Sequence, residues 1–185
     1  MRRIALPVAM LAAALIATPA LETPLAAQTQ AGTSAKPALN DPTIVAIFDA
    51  TNTQDIETGQ LAAKQGSTKA VRDFGAMLAR DHTNVREQGR ALAKRLGVTP
   101  TPPAGDESAR AHAATMRQLR RLHGAAFEKA FLEHEVAFHQ SVIDAVNTTL
   151  MPAIQNDELK HLVTVVAPAF AAHRDAAKHL LEIVK

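Results

Sequence analysis

The chain has 185 residues, 47% of them hydrophobic but only 3% aromatic, and it contains no Cys, Trp or Tyr. One domain's worth of chain must therefore build its core from Ala, Leu, Val, Ile, Met and Phe, and the missing cysteine excludes disulfides, thiolate catalysis, Cys-based zinc sites and acylation of an N-terminal cysteine. A formal charge of +2, with no Lys/Arg block and no interleaved aromatics, excludes a nucleic-acid footprint.

Residues 1–27 read as a signal peptide. Arg2 and Arg3 precede an apolar run over residues 4–17 that is too short to cross a membrane, and small residues follow, with a cut expected after Ala27. The mature chain, expected to be periplasmic or secreted, keeps no transmembrane segment, and losing Arg2, Arg3 and Glu22 brings its charge from +2 to about +1. Residues 28–40 (QTQAGTSAKPALN) are polar and small, the composition of a disordered lead-in.

Residues 41–185 read as a single helical domain. Asp41-Pro42 is a helix start, a capping residue followed by Pro in the first turn, and the helix runs to about Gln65. Gly66 ends it and Ser67 caps the next, which runs from about Thr68 to Leu96 with Val71, Phe74, Leu78, Val85, Leu92 and Leu96 on one stripe. Gly97 and the Pro-rich TPTPPAGD follow, then a mostly polar middle helix from about Glu107 to Leu122, closed by His123-Gly124. A third long helix, from about Ala125 to Leu150, carries Phe127, Phe131, Phe138, Val142 and Val146 on one side. After a turn containing Pro152, Asn156 caps a fourth long helix striped with Leu159, Leu162, Val166, Phe170, Ala177, Leu180 and Val184, which Pro168 should kink or deprive of one backbone bond.

No segment carries a strand pattern, so the fold class is all-α. The short links predict two antiparallel hairpins. The middle helix can travel ~24 Å at ~1.5 Å per residue, enough for the crossover of a ferritin-like four-helix bundle, with simple up-down topology as the alternative.

Polar residues interrupt the stripes. His82 and His173 occupy stripe positions, while His139 lies on the flank of its stripe with Glu135 one turn before it. The first helix offers Glu57, four residues before Leu61, and Asn52. A buried imidazole or carboxylate must be paired, hydrogen-bonded or metal-bound, and imidazole with carboxylate on facing helices is how bundles build transition-metal sites. The candidate ligands are Glu57, His82, Glu135, His139 and His173, with Asn52 and Asp81 behind them as orienting groups, and the candidate cofactor is a divalent Fe, Mn, Cu or Zn ion. A fold-over near residue 66 sets His82 level with Asn52 and leaves Glu57 ~9 Å away along the axis. A fold-over near residue 153 sets His173 level with Glu135 but His139 level with Pro168, so two separate polar layers compete with one cluster. Glu158 and His161 have the Glu-x-x-His spacing of di-iron bundles, but they lie in a first helical turn, where capping explains them.

No serine elbow, phosphate loop or HExxH motif is present, so no catalytic residue is assigned and an enzyme would depend on the metal. Two readings stand: an exported metal-binding bundle serving metal handling or envelope stress, and a non-enzymatic envelope protein, with a protein partner, whose inward polar residues only set helix register. A metal-dependent oxidase or peroxidase-like enzyme is a third.

Four stretches carry a family resemblance. Residues 55–62 (DIETGQLA) are similar to a D/E-I-E-x-G-K-L-A element, and residues 71–83 (VRDFGAMLARDHT) to V-K-x-F-A-x-x-M-x-x-D-H-T. Residues 124–131 (GAAFEKAF), with His139 beyond, resemble G-x-x-F-D-x-x-Y…H, and Pro168 followed by His173 resembles L-P-x-x-x-x-H. Over about residues 42–183 the chain thus resembles domain-of-unknown-function family 4142. The resemblance implies a ferritin-like helical fold and export, and it directs attention to Glu57, Asp81, His82, His139 and His173. It supplies no reaction. Phe131 stands where Tyr is frequent, and neither a barrel pattern nor a lipid-attachment cysteine supports the outer-membrane label that some members carry.

Overall fold

The structure, a computed structural model, describes residues 39–184. The expected signal peptide and residues 28–38 of the expected lead-in lie outside the described residues. The last two residues of that lead-in belong to the bundle: Leu39 packs on a core cluster and Asn40, rather than Asp41, caps the first helix by accepting a hydrogen bond from the Thr43 amide at 3.0 Å. Helix α1 (Asp41–Gln65) thus begins one residue earlier than expected, with Pro42 in its first turn where its missing N–H costs nothing. The Asp41 carboxylate is free to accept from the backbone amides of Gln155 and Asn156 at 2.9 and 3.0 Å, tying the first turn to the far end of the chain.

Thr68, not Ser67, caps α2 (Lys69–Leu96), and Gly97 closes it in the left-handed conformation at φ 66°, which a side chain would strain. Helix α1 lies unusually close to α2 at a glycine pair. A Cβ on Gly75 would sit 2.6 Å from the Gly59 carbonyl oxygen, and one on Gly59 would sit 2.7 Å from that of Gly75. Helix α3 (Ser108–Leu119) is shorter than expected but gives Met116 and Leu119 to the interior. Helix α4 (Gly124–Ala145) continues through a π-helical turn (Val146–Leu150) into the short α5 (Met151–Ala153). Helix α6 (Asp157–Ile183) starts at the expected cap Asn156, which accepts from the Glu158 and Leu159 amides, and continues past Pro168.

Two apolar clusters give the direction of each helix. One gathers Ala62, Val71, Phe74, Leu78, Leu119, Phe127, Phe131, Leu132 and Ala177, and the other gathers Ile44, Val45, Leu92, Ala93, Val146, Ile154, Leu159 and Val163. Helices α2 and α4 both begin in the first cluster and end in the second, so they run parallel. Helices α1 and α6 run the opposite way. The link between α2 and α4 must therefore travel back along the bundle, and α3 carries it, ending at Leu119 in the first cluster. The result is an all-α bundle of two antiparallel hairpins, α1–α2 and α4–α6, with one crossover and every adjacent pair antiparallel. No described helix is long and apolar enough to cross a membrane.

Candidate metal centre

Between the two apolar clusters lies a polar layer supplied by all four long helices: Asn52 and Asp55 from α1, His82 from α2, Glu135 and His139 from α4, and His173 from α6, every one of them buried. Of the two arrangements the sequence left open, the pair of separate layers does not form. The turn between α4 and α6 uses a π-helical segment and α5, which moves the fold-over point from about residue 153 to Asn156. His139 and His173 are equidistant from Asn156 in sequence and so come level. His139 is also not on a flank. It is fully buried, in line with Phe127, Phe131 and Glu135 at spacings of four, whereas Phe138 is only half-buried.

Each imidazole is held from behind. The Asn52 amide nitrogen donates to the Phe48 carbonyl at 2.8 Å, which turns its oxygen toward His82 Nδ1 at 2.9 Å. His82 therefore donates through Nδ1 and leaves Nε2 as a bare lone pair. His139 Nδ1 donates to the Glu135 carbonyl at 2.9 Å, leaving Nε2 bare. His173 Nε2 lies 3.3 Å from the Asp81 carboxylate, leaving Nδ1 bare. Asp81 is the partly exposed member of the set, and its other oxygen meets Arg80. Holding one ring nitrogen of each histidine from behind in this way is how proteins prepare imidazole ligands.

The bare nitrogens face one another. His82 Nε2 and His173 Nδ1 are 3.2 Å apart, and the Asp55 carboxylate lies 3.4 Å from His82 Nε2 and 3.9 Å from His139 Nε2. Ligand atoms of His82, His139 and His173 lie within 4.8 Å of one another, as do those of Asp55, Glu135 and His139. Both oxygens of Asp55, both of Glu135 and Nε2 of His139 are buried with no hydrogen-bond partner among the described residues. The nearest polar groups to these atoms are one another, with Glu135 Oε2 3.4 Å from His139 Nδ1, and such crowding without well-formed hydrogen bonds is a heavy desolvation cost in a finished core. Metal–ligand bonds of ~2.0–2.2 Å set neighbouring ligand atoms ~3.0–3.5 Å apart, so the 3.2 and 3.4 Å separations already match, while the 3.9 Å between His139 and Asp55 has to shorten.

Burial, followed by the neighbouring His139 and His173, pushes His82 down to about 2, and burial likewise lowers His173. Both are neutral at physiological pH, the form in which imidazole binds metals. Burial, then the charge and hydrogen bond of Glu135, hold Asp55 well above the usual carboxylate range. Burial opposes ionisation of Glu135, but the neighbouring His139, His134 and Thr58 together outweigh it and the net shift is downward.

Of the residues singled out in the sequence, His82, Glu135, His139 and His173 come together, with Asn52 and Asp81 behind His82 and His173. Glu57 does not. It is exposed on the opposite side of α1, with its Oε2 2.8 Å from His112 Nε2. Glu158 and His161 are also outside the layer, exposed, with Glu158 paired to Arg95. The acid that α1 contributes is Asp55. Its signal was present: Ile44, Phe48, Asn52, Asp55 and Ala62 keep three- and four-residue steps, with Gly59 between the last two, so the buried face of α1 passes through Asn52 and Asp55 rather than through Glu57 and Leu61.

The family model described as "Domain of unknown function (DUF4142)" matches residues 26–180. Among solved structures, the chain is similar to the crystal structure of a DUF305 fragment from Deinococcus radiodurans, with 18% identity and a TM-score of 0.67 over 79% of this chain and 99% of that one. At that identity the likeness is one of fold alone. No curated protein matches the sequence.

Proposed function

Since this chain belongs to the DUF4142 family, whose description carries no activity, its role has to come from its own atoms, and we propose that it binds one divalent transition-metal ion in the bundle core. His82 Nε2, His139 Nε2, His173 Nδ1 and the Asp55 carboxylate are the ligands, with Glu135 beside Asp55 and His139. The observation that carries the reading is that three imidazoles, each held by its far nitrogen, turn their bare nitrogens into one buried layer, two of them toward the Asp55 carboxylate, whose oxygens have no hydrogen-bond donor there. Imidazole with carboxylate and no thiolate suits zinc, copper(II), iron(II) or manganese. The charged-then-apolar start of the sequence goes with export, so the cellular role is that of a ferritin-like metal-handling protein of the envelope.

One observation favours the register reading. Every histidine does have its own separate partner, in Asn52, the Glu135 carbonyl and Asp81. Those partners use one side of each ring, however, and leave the converging sides unexplained. Elemental mass spectrometry of the untagged protein, after incubation with iron, copper, manganese and zinc, separates the two. Near-stoichiometric metal is expected, and it should vanish in a His82→Ala/His173→Ala double variant that keeps its helical circular dichroism. No bound metal in the wild-type protein overturns the proposal and favours register.

A further inference from the structure

Beside the histidine layer, on the side of the second apolar cluster, the bundle encloses a cavity of about 30 Å³ between α1, α4 and α6. Its wall is apolar, built around Ile44, Phe48, Val146, Val163, Ala167 and Phe170, with Thr51 and Asn52 as its polar members. The volume exceeds the roughly 10–15 Å³ that a water needs, but a buried water also needs two to four polar partners. Ten of the twelve lining residues are apolar, and Asn52 already gives one N–H to Phe48 and its oxygen to His82. With Thr51 the only other polar side chain on the wall, a water gains little there. A small molecule that makes no hydrogen bonds loses nothing on entering such a space.

The cavity adjoins the site directly. Asn52 is shared by both, and the Phe170 ring on the cavity wall lies 5.5 Å from the His82 ring and 6.0 Å from that of His139, centroid to centroid. On the far side of Val146, Ala167 and Phe170 is an outer pocket of about 110 Å³ that reaches the exposed Asn147. The same three side chains thus divide the outer pocket from the inner cavity. Next to Ala167, Pro168 removes a backbone hydrogen bond from α6 at this point.

We infer that the inner cavity is a second binding site, for a neutral apolar molecule of diatomic size such as dioxygen, which enters past Phe170 and is held beside the histidine layer. What the guest meets there rests on the metal reading above, whereas the site itself does not.

The test is methyl NMR of the protein under dioxygen pressure, metal-free and zinc-loaded, because dissolved dioxygen displaces the resonances of the methyls it visits. The Ile44, Val163 and Val166 methyls should move several-fold more than those of Leu78 and Leu132, which are equally buried but do not line the cavity. Ala167→Leu should abolish that excess by filling the space, and Val146→Ile serves the same purpose if Ala167→Leu does not fold. Equal displacement of all five residues, or an excess that survives the filled cavity, overturns the inference. Failure of the metal reading registers separately, as absence of zinc uptake, and leaves the methyl result unaffected.

Discussion

Asn52 and Glu57 are five residues apart on one helix and have opposite fates. A five-residue step turns an α-helix by well over a quarter of a circle, so with Asn52 facing the core Glu57 must face outward, where it meets His112. A charged residue beside an apolar one looked like the better ligand, yet the neutral amide has the central position. Asn52 determines which nitrogen of His82 carries the proton, and partners of that kind are worth about 10–100-fold in metal affinity. Asn52→Ala is therefore expected to weaken zinc binding by about that factor with all ligands still present, while Glu57→Gln leaves it unchanged. Competition titration against a chelating dye measures both. Equal losses in the two variants would mean that the ligand set is wrong.

Among the elements, the α1–α2 hairpin is the most tightly constrained. Gly59 and Gly75 let two backbones approach so closely that a methyl group on either would overlap the other's carbonyl oxygen. This contact sets how far apart Asn52, Asp55 and His82 stand, one to two turns further along the same hairpin. Gly75→Ala must push the helices apart. Although alanine favours helix over glycine by about 1 kcal/mol, the clash is with backbone and cannot be relieved by a rotamer change, so a net loss of about 1–3 kcal/mol is expected in urea unfolding. A stabilised Gly75→Ala protein would show that the close approach is not needed. The corresponding device in the other hairpin is the π-helical turn of Val146–Leu150, which adjusts register where glycine adjusts distance.

At the scale of the whole molecule, a polar layer between two apolar clusters makes stability depend on pH. The folded protein holds His82 at about 2, far below the ordinary histidine value of 6.5, so as pH falls the unfolded chain takes up the proton first. The metal-free protein has this contribution in full above about pH 6.5 and loses it below, at up to about 1.4 kcal/mol per pH unit for each such histidine. His173, lowered as well, acts in the same direction, and Asp55, raised, offsets part of the loss. The thermal midpoint of the metal-free protein should fall between pH 7 and pH 5, and fall less when His82 is replaced by Asn. A midpoint that is flat across this range in the wild-type protein would mean that water reaches the layer and the histidines titrate freely.

The sequence by itself determined the all-α class, the approximate limits of the long helices and the inward position of His82 and His173. Those features follow from local chemistry: caps at Thr68 and Asn156, breaks at Gly97 and Gly124, and apolar residues recurring every three or four positions. Only the tertiary structure decided that the histidines form one layer, that Asp55 rather than Glu57 joins them, and that α2 and α4 run parallel. Axial level across a hairpin depends on where the chain turns, and moving the turn three residues, to Asn156, shifts one arm against the other by six residues, or ~9 Å along the bundle. The buried face of α1 was ambiguous because its inward positions include Asn52, Asp55 and Thr58, polar residues that blur the apolar period a sequence reading relies on. Thr58 and Asn52 spend donors on carbonyls of their own helix, and Asn52 and Asp55 face His82 and His139, which are distant in sequence and adjacent only in the folded bundle.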